Sequence, residues 1–185
     1  MQAYFKTDDL AVISIFAALW GVLNVTISPA FFSLFHLPFA CDLIGFSALI
    51  LAVWWSRKIG TATFVGFIAL IINMMVRAAT HFFGFLAASV VFDVLAFVSG
   101  YNRLFERRLV GSTILFTISV ISAAFAGLVI GSFFMVPTEL TRWAGVLGWS
   151  GLHAVGGVIG GAIGVTIMNA LSIRGLTPRI GFKKR

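Results

Sequence analysis

A set of polar and aromatic residues stands inside or beside long apolar runs of this chain: Asn24, Phe35, His36, Asp42, Asn73, Arg77, His81, Trp149 and His153. A polar side chain at membrane depth is costly, and by default it marks a site. Together these residues supply amides, imidazoles, a carboxylate, a guanidinium and aromatic faces. Such a set suits a small polar heterocycle: rings stack on rings, and polar groups satisfy the heterocycle's edges. Asn73 and Arg77 are four apart, so they share a helix face. Trp149 and His153 are also four apart, and His153 shares its row with Gly157 and Gly161. A His/Asp metal site is the weaker reading, because no H-x-x-x-H or similarly dense ligand spacing occurs. No catalytic residue, metal or cofactor is expected.

Each residue also has a plainer reading. Asp42 suits the first turn of a helix, where the macrodipole favours an acid. Arg77 can snorkel to headgroups. Glu139 and Arg142 fit a surface pair at a helix start. Trp143 fits an interfacial belt. Asp93 lies past the middle of its apolar run, where a buried hydrogen bond is as good an account as function.

The elements that must position these groups follow from composition. The chain has 185 residues, 60% of them hydrophobic and only 10% charged. Soluble domains carry about a quarter charged residues. The shortage runs along the whole chain, which reads as one all-α integral membrane domain. Uncharged runs predict six transmembrane helices, approximately 9–28, 38–56, 59–77, 81–101, 109–136 and 143–173. Ser28-Pro29 closes the first, Pro38 opens the second, and Arg77 stops the third. The last two runs exceed the bilayer thickness and must tilt, kink or protrude. The runs lack the period-two alternation of a barrel. The first run is read as a retained helix, not a signal peptide.

Six helices put both termini on one side. Lys6, Arg57, Lys58, Arg103, Arg107, Arg108, Arg174, Arg179, Lys183, Lys184 and Arg185 then fall on that side, and Arg77 and Arg142 on the other. The positive-inside rule makes the terminal side cytoplasmic. The formal charge of +7 is thereby explained by orientation in a lipid bilayer, and nucleic acid is not an expected partner. Cys41 is the only cysteine, so an intramolecular disulfide and a thiolate cluster within the chain are excluded. The polar set gathers toward the outer face. The first outer loop, "SPAFFSLFHLPFA", is aromatic-rich, and Phe31, Phe32 and Phe35 serve either as an interfacial anchor or as a lid over a cavity.

Small residues form stripes on three helices. Gly156, Gly160 and Gly164 are four apart, beside a second row of Gly157 and Gly161. Ala123, Gly127 and Gly131 repeat the idea, as do Ser14 with Ala18 and Ala17 with Gly21. Such grooves admit a helix backbone, either within the bundle or from a separate subunit. No G-x-x-x-x-G-K-[ST], G-x-S-x-G or H-E-x-x-H motif occurs, so an enzyme is not expected.

This texture resembles a substrate-binding S component of an energy-coupling factor (ECF) transporter. The likeness spans nearly the whole chain, from "ISIFAALWGVLN" through "HAVGGVIGGAIGVTIMNALSIRG". It implies a membrane protein of the prokaryotic plasma membrane that captures a small water-soluble vitamin or precursor near the outer face. It also implies a transmembrane coupling subunit and two ATPase subunits as partners, which accords with the missing phosphate loop. The family's Ala-x-x-x-Ala face on the first helix maps to Ala17 and Gly21, or to Ser14 and Ala18. The family's loop between the first two helices maps to Phe31–His36 as a lid, with Trp149 and His153 in the pocket. Metal-binding members carry an N-terminal histidine motif that "MQAYFKTDD" lacks, so an organic substrate is expected. The alternative from another class is an assembly subunit whose glycine faces pack a larger complex. An intramembrane enzyme is the weakest reading.

Overall fold

Pro29 does not end the first helix. In the computed structural model, which describes residues 4–176, helix α1 runs unbroken through it from Thr7–Phe35. A proline inside a helix removes the bond from its own nitrogen to the carbonyl four residues back. That carbonyl is Val25, and Nη1 of Arg77 reaches it from a neighbouring helix at 3.4 Å. The expected end at residue 28 is therefore corrected to Phe35. His36 closes α1 in the left-handed conformation (φ 55), donating its backbone N–H to Phe32 at 2.7 Å.

Seven further helices follow: α2 (Phe39–Ser56), α3 (Thr61–Arg77), α4 (Phe82–Ser99), α5 (Tyr101–Glu106), α6 (Arg108–Phe133), α7 (Pro137–Thr141) and α8 (Gly145–Ile173). No strand occurs among the described residues. Two short elements were not expected: α5 takes the residues after Gly100, and α7 those after Val136. The expected runs 81–101 and 109–136 shorten accordingly. Five helices (α1, α2, α4, α6 and α8) are long and apolar enough to cross a membrane. Helix α3, with 17 residues, is apolar but shorter. These helices fit a membrane protein.

The long helices alternate in direction. At one end Lys58, before α3, bonds Asp9 in the first turn of α1 (2.6 Å), and Arg108 of α6 bonds Asn169 near the end of α8 (3.2 Å). This terminal end carries Lys6, Arg57, Lys58, Arg103, Arg107, Arg108 and Arg174. Arg179, Lys183, Lys184 and Arg185 lie outside the described residues. The opposite end gathers the closing turns of α1, α3 and α6 and the opening turns of α2, α4 and α8.

The glycine stripes are consumed inside the bundle. A Cβ at Gly156 would stand 2.5 Å from Oδ2 of Asp42, and one at Gly160 2.6 Å from the Asp42 carbonyl. Gly164 faces Ser47 and Ile50 of α2. The second row turns to α6, where Gly157 meets Ala123 and Ser119. Ser47 Oγ adds a hydrogen bond to the Gly160 carbonyl at 3.0 Å. Helix α8 thus lies backbone to backbone between α2 and α6. On α1, Ala17 and Gly21 are buried, with Gly21 against Ile72 of α3, so that row is occupied by the chain itself. Ser14 and Ala18 form the exposed row.

Asp93 gains a definite role. From α4 its Oδ2 accepts the backbone N–H of Thr63 (2.9 Å) and the Thr63 hydroxyl (2.8 Å). Helix α3 begins after Gly60, which has no side chain to cap it, so a neighbouring helix satisfies its first turn. Asp93→Ala leaves the half-buried Thr63 N–H without its acceptor and is expected to lower stability by about 1 kcal/mol. Asp93→Asn, which keeps an acceptor oxygen, is expected to lose less. Thermal melts in detergent check the order, and equal melts for both variants would contradict the capping role.

Candidate functional site

A cavity of about 480 Å³ opens at the end of the bundle away from the described termini. Its origin is a mismatch of helix lengths. Asn24 of α1 donates to Asn73 of α3 at 2.8 Å, and Arg77 is level with Val25. Helix α3 stops there, whereas α1 continues to Phe35 without that neighbour. The space beside the extra turns of α1 is the cavity. Phe85 lines it, backed in the core by Trp20, which packs against Phe82 at 5.3 Å and Phe85 at 6.0 Å where Gly45 leaves room for the indole.

Six of the residues singled out from sequence line this space: Asn24, Asn73, Arg77, His81, Trp149 and His153. They come from α1, α3, the start of α4, and α8. Three do not line it. Phe35 and His36 are exposed beyond the cavity, because α1 continues as helix and spends His36 on its closing turn. The segment Phe31–His36 is therefore a helix end and not a loop. Asp42 is fully buried one layer behind the wall. The aromatic and larger apolar part of the lining includes residues not expected in the site from sequence: Phe32, Phe85, Ile130, Phe134 and Met135. Phe32 belonged to the aromatic stretch noted as a lid, and it does face the cavity. The other four are apolar residues in apolar runs, with nothing local to distinguish them.

The chemical centre is the pair Asp42 and His153, 111 positions apart in the chain. His153 Nδ1 lies 3.0 Å from both carboxylate oxygens, and the geometry makes a hydrogen bond to Oδ1. Two features bring them together. Asp42 sits in the first turns of α2, and Gly156 on α8, one turn past His153, has no side chain to push the carboxylate away. Gly127 of α6 clears the other side, where a Cβ would be 3.0 Å from the imidazole Cδ2. The ring is further held edge-on by Trp149 at 5.3 Å and Phe85 at 5.6 Å. With Nδ1 committed to the carboxylate, Nε2 across the ring has no protein partner, nor has the indole Nε1 of Trp149. Buried polar atoms are ordinarily satisfied, so unpartnered ones on residues that line a cavity are candidates for a ligand to take.

The Ser28 hydroxyl and the Asn24 and Asn73 amides on the wall are already used by the protein. Ser28 donates to Asn24 Oδ1 (2.9 Å), Asn24 to Asn73, and Asn73 to the Ala69 carbonyl (2.8 Å). These amides shape the wall and tie α1 to α3. Arg77 and His81 stand exposed at the mouth. Glu139 and Arg142 pair with each other at 3.4 Å on the exposed α7, where such a pair adds little. Among the described residues no three His, Cys, Asp or Glu side chains converge as a metal site would require.

His81 takes up a proton less readily than an ordinary histidine with pKa 6.5. Lost hydration is the first cause, followed by the neighbouring His153 and Arg77. Above pH 6.5 the ring is neutral in both folded and unfolded chains. As pH falls below 6.5, the unfolded chain takes the proton first, so stability drops. His81→Gln is expected to flatten the melting temperature between pH 7 and pH 5 relative to the parent. Parallel slopes would contradict this. Comparison with protein-family models, with curated proteins and with solved structures finds no match to this chain.

Proposed function

We propose that this chain is the substrate-capturing S component of an ECF-type importer, binding a small water-soluble vitamin or precursor near the extracellular face. The observation that carries the reading is the cavity at one end of the bundle, lined by His153, whose buried Nε2 has no protein partner. Pockets for small organic ligands are about 300–1,000 Å³, mostly apolar, with a few fixed polar groups. In this reading α3 joins the five longer helices as a sixth span, since 17 residues cover about 25 Å at 1.5 Å each. The basic residues of the terminal end then face the cytoplasm by the positive-inside rule, and the cavity faces outward.

ATP hydrolysis belongs to partner ATPase subunits, with a transmembrane coupling subunit between. The exposed Ser14 and Ala18 on α1 are the docking row that remains open to that subunit. The assembly-subunit alternative drew on the glycine faces of α8, and those are packed against α2 and α6.

The test has two stages. Purified protein is screened by thermal shift against water-soluble vitamins and their precursors. Uptake of any stabilising compound is then followed in cells with and without coupling and ATPase subunits. The expected result is stabilisation of the chain alone and accumulation only with the partners. Absence of any stabilising compound would sink the proposal.

A further inference from the structure

We infer that the captured molecule is a small ring-bearing organic anion, held by its ring in the aromatic part of the cavity and by its anionic group at Arg77, His81 and His153. The inference rests on the capture reading above and names the substrate's charge class. Its basis is the distribution of charge on the wall. Among the described residues that line the cavity there is no carboxylate. Asp42, the nearest acid, has no exposed surface and stands behind the His153 ring. A cationic ligand would therefore meet Arg77 with no counter-charge in reach.

An anionic ligand meets the reverse. Arg77 makes no ion pair among the described residues, and its one hydrogen bond is the 3.4 Å contact to Val25. Most of its planar donor fork is open to a carboxylate or phosphate. His153 turns Nδ1 to Asp42 and leaves Nε2 without a protein partner, a polar atom that the ligand can engage. The crowding of His81 by Arg77 and His153 is the complementary sign: an anion placed among them relieves it. The apolar share of the ligand is set by Phe32, Phe85 and Trp149, whose faces favour a flat ring.

The test uses matched probes on the purified full chain in detergent. Benzene, pyridine, pyrimidine and indole rings are each supplied as carboxylate, phosphate monoester, neutral carboxamide and aminomethyl cation, and thermal shift and equilibrium dialysis are read. The expected result is that one or more anionic members bind at least tenfold tighter than their carboxamides. Arg77→Gln is expected to remove that preference; it also removes the Val25 contact, so the preference is read as the anion-to-carboxamide affinity ratio within each protein and not from the unliganded melting temperature. The carboxylate and phosphate arms separate the two anion types. Tightest binding by a carboxamide or aminomethyl probe would overturn the anion assignment and leave the capture reading standing. Equal preference in parent and Arg77→Gln would also overturn it. Binding of no probe at all would count against both.

Discussion

Asp42→Ala is expected to abolish ligand binding and to lower stability by about 3–5 kcal/mol, the usual cost of removing one partner from a buried pair. The loss has two parts. Asp42 is fully enclosed, and its oxygens sit 3.0 Å from Nδ1 of a histidine that is 1% exposed. Deleting the carboxylate leaves the imidazole with no partner on either nitrogen, since Nε2 has none already. It also frees the ring to turn, so the atom offered to the cavity is no longer defined. Stability and binding are separable by a paired change. Asp42→Asn with His153→Gln exchanges charge for neutral amides of similar reach, and is expected to regain most of the melting temperature but not the binding. Detergent melts and equilibrium dialysis on the single and double variants check this. Full binding by the double variant would show that the pair serves packing alone.

Gly160→Leu is expected to prevent folding, and Gly160→Ala to cost about 1–3 kcal/mol. A Cβ at Gly160 meets the Asp42 carbonyl at 2.6 Å and the Leu43 Cα at 3.1 Å. Both are backbone atoms of α2, so no side chain can swing aside. Relief would need the two helices to part, which would also pull Asp42 away from His153. Gly151 is the matched control on the same helix: it is exposed, and nothing lies within 4 Å of its Cβ direction. Gly151→Ala is expected to melt like the parent. Monodispersity on size exclusion, together with the melting temperature, reads the series. A well-folded Gly160→Leu would refute the close α2–α8 approach.

Much of the helical frame was legible because length and hydropathy decide it. The boundary that failed, Pro29, failed for a long-range reason. Local chemistry ends a helix at Ser28-Pro29, but Arg77, 52 positions away from Val25, reaches the carbonyl that the proline leaves unbonded. The same extension moved His36 and Phe35 out of the site and brought Phe32 in. Polar site residues were legible because polarity within an apolar run is conspicuous. Their pairing was not: Asp42 and His153 were each visible, yet no local pattern links them. Phe85, Ile130, Phe134 and Met135 were invisible for the opposite reason. In a chain that is 60% hydrophobic, the apolar wall of a cavity reads like any lipid-facing or core position. Glycine rows were readable as close-approach surfaces, but their partners were set by the fold.

The central claim is that the cavity beside His153 holds one small organic molecule. Native mass spectrometry of the protein released from membranes of cells grown in rich medium tests it most directly. The account predicts a mass increment of one small molecule per chain on the parent, absent from His153→Ala. A parent that keeps its bare mass after incubation with the full vitamin and precursor panel would contradict it.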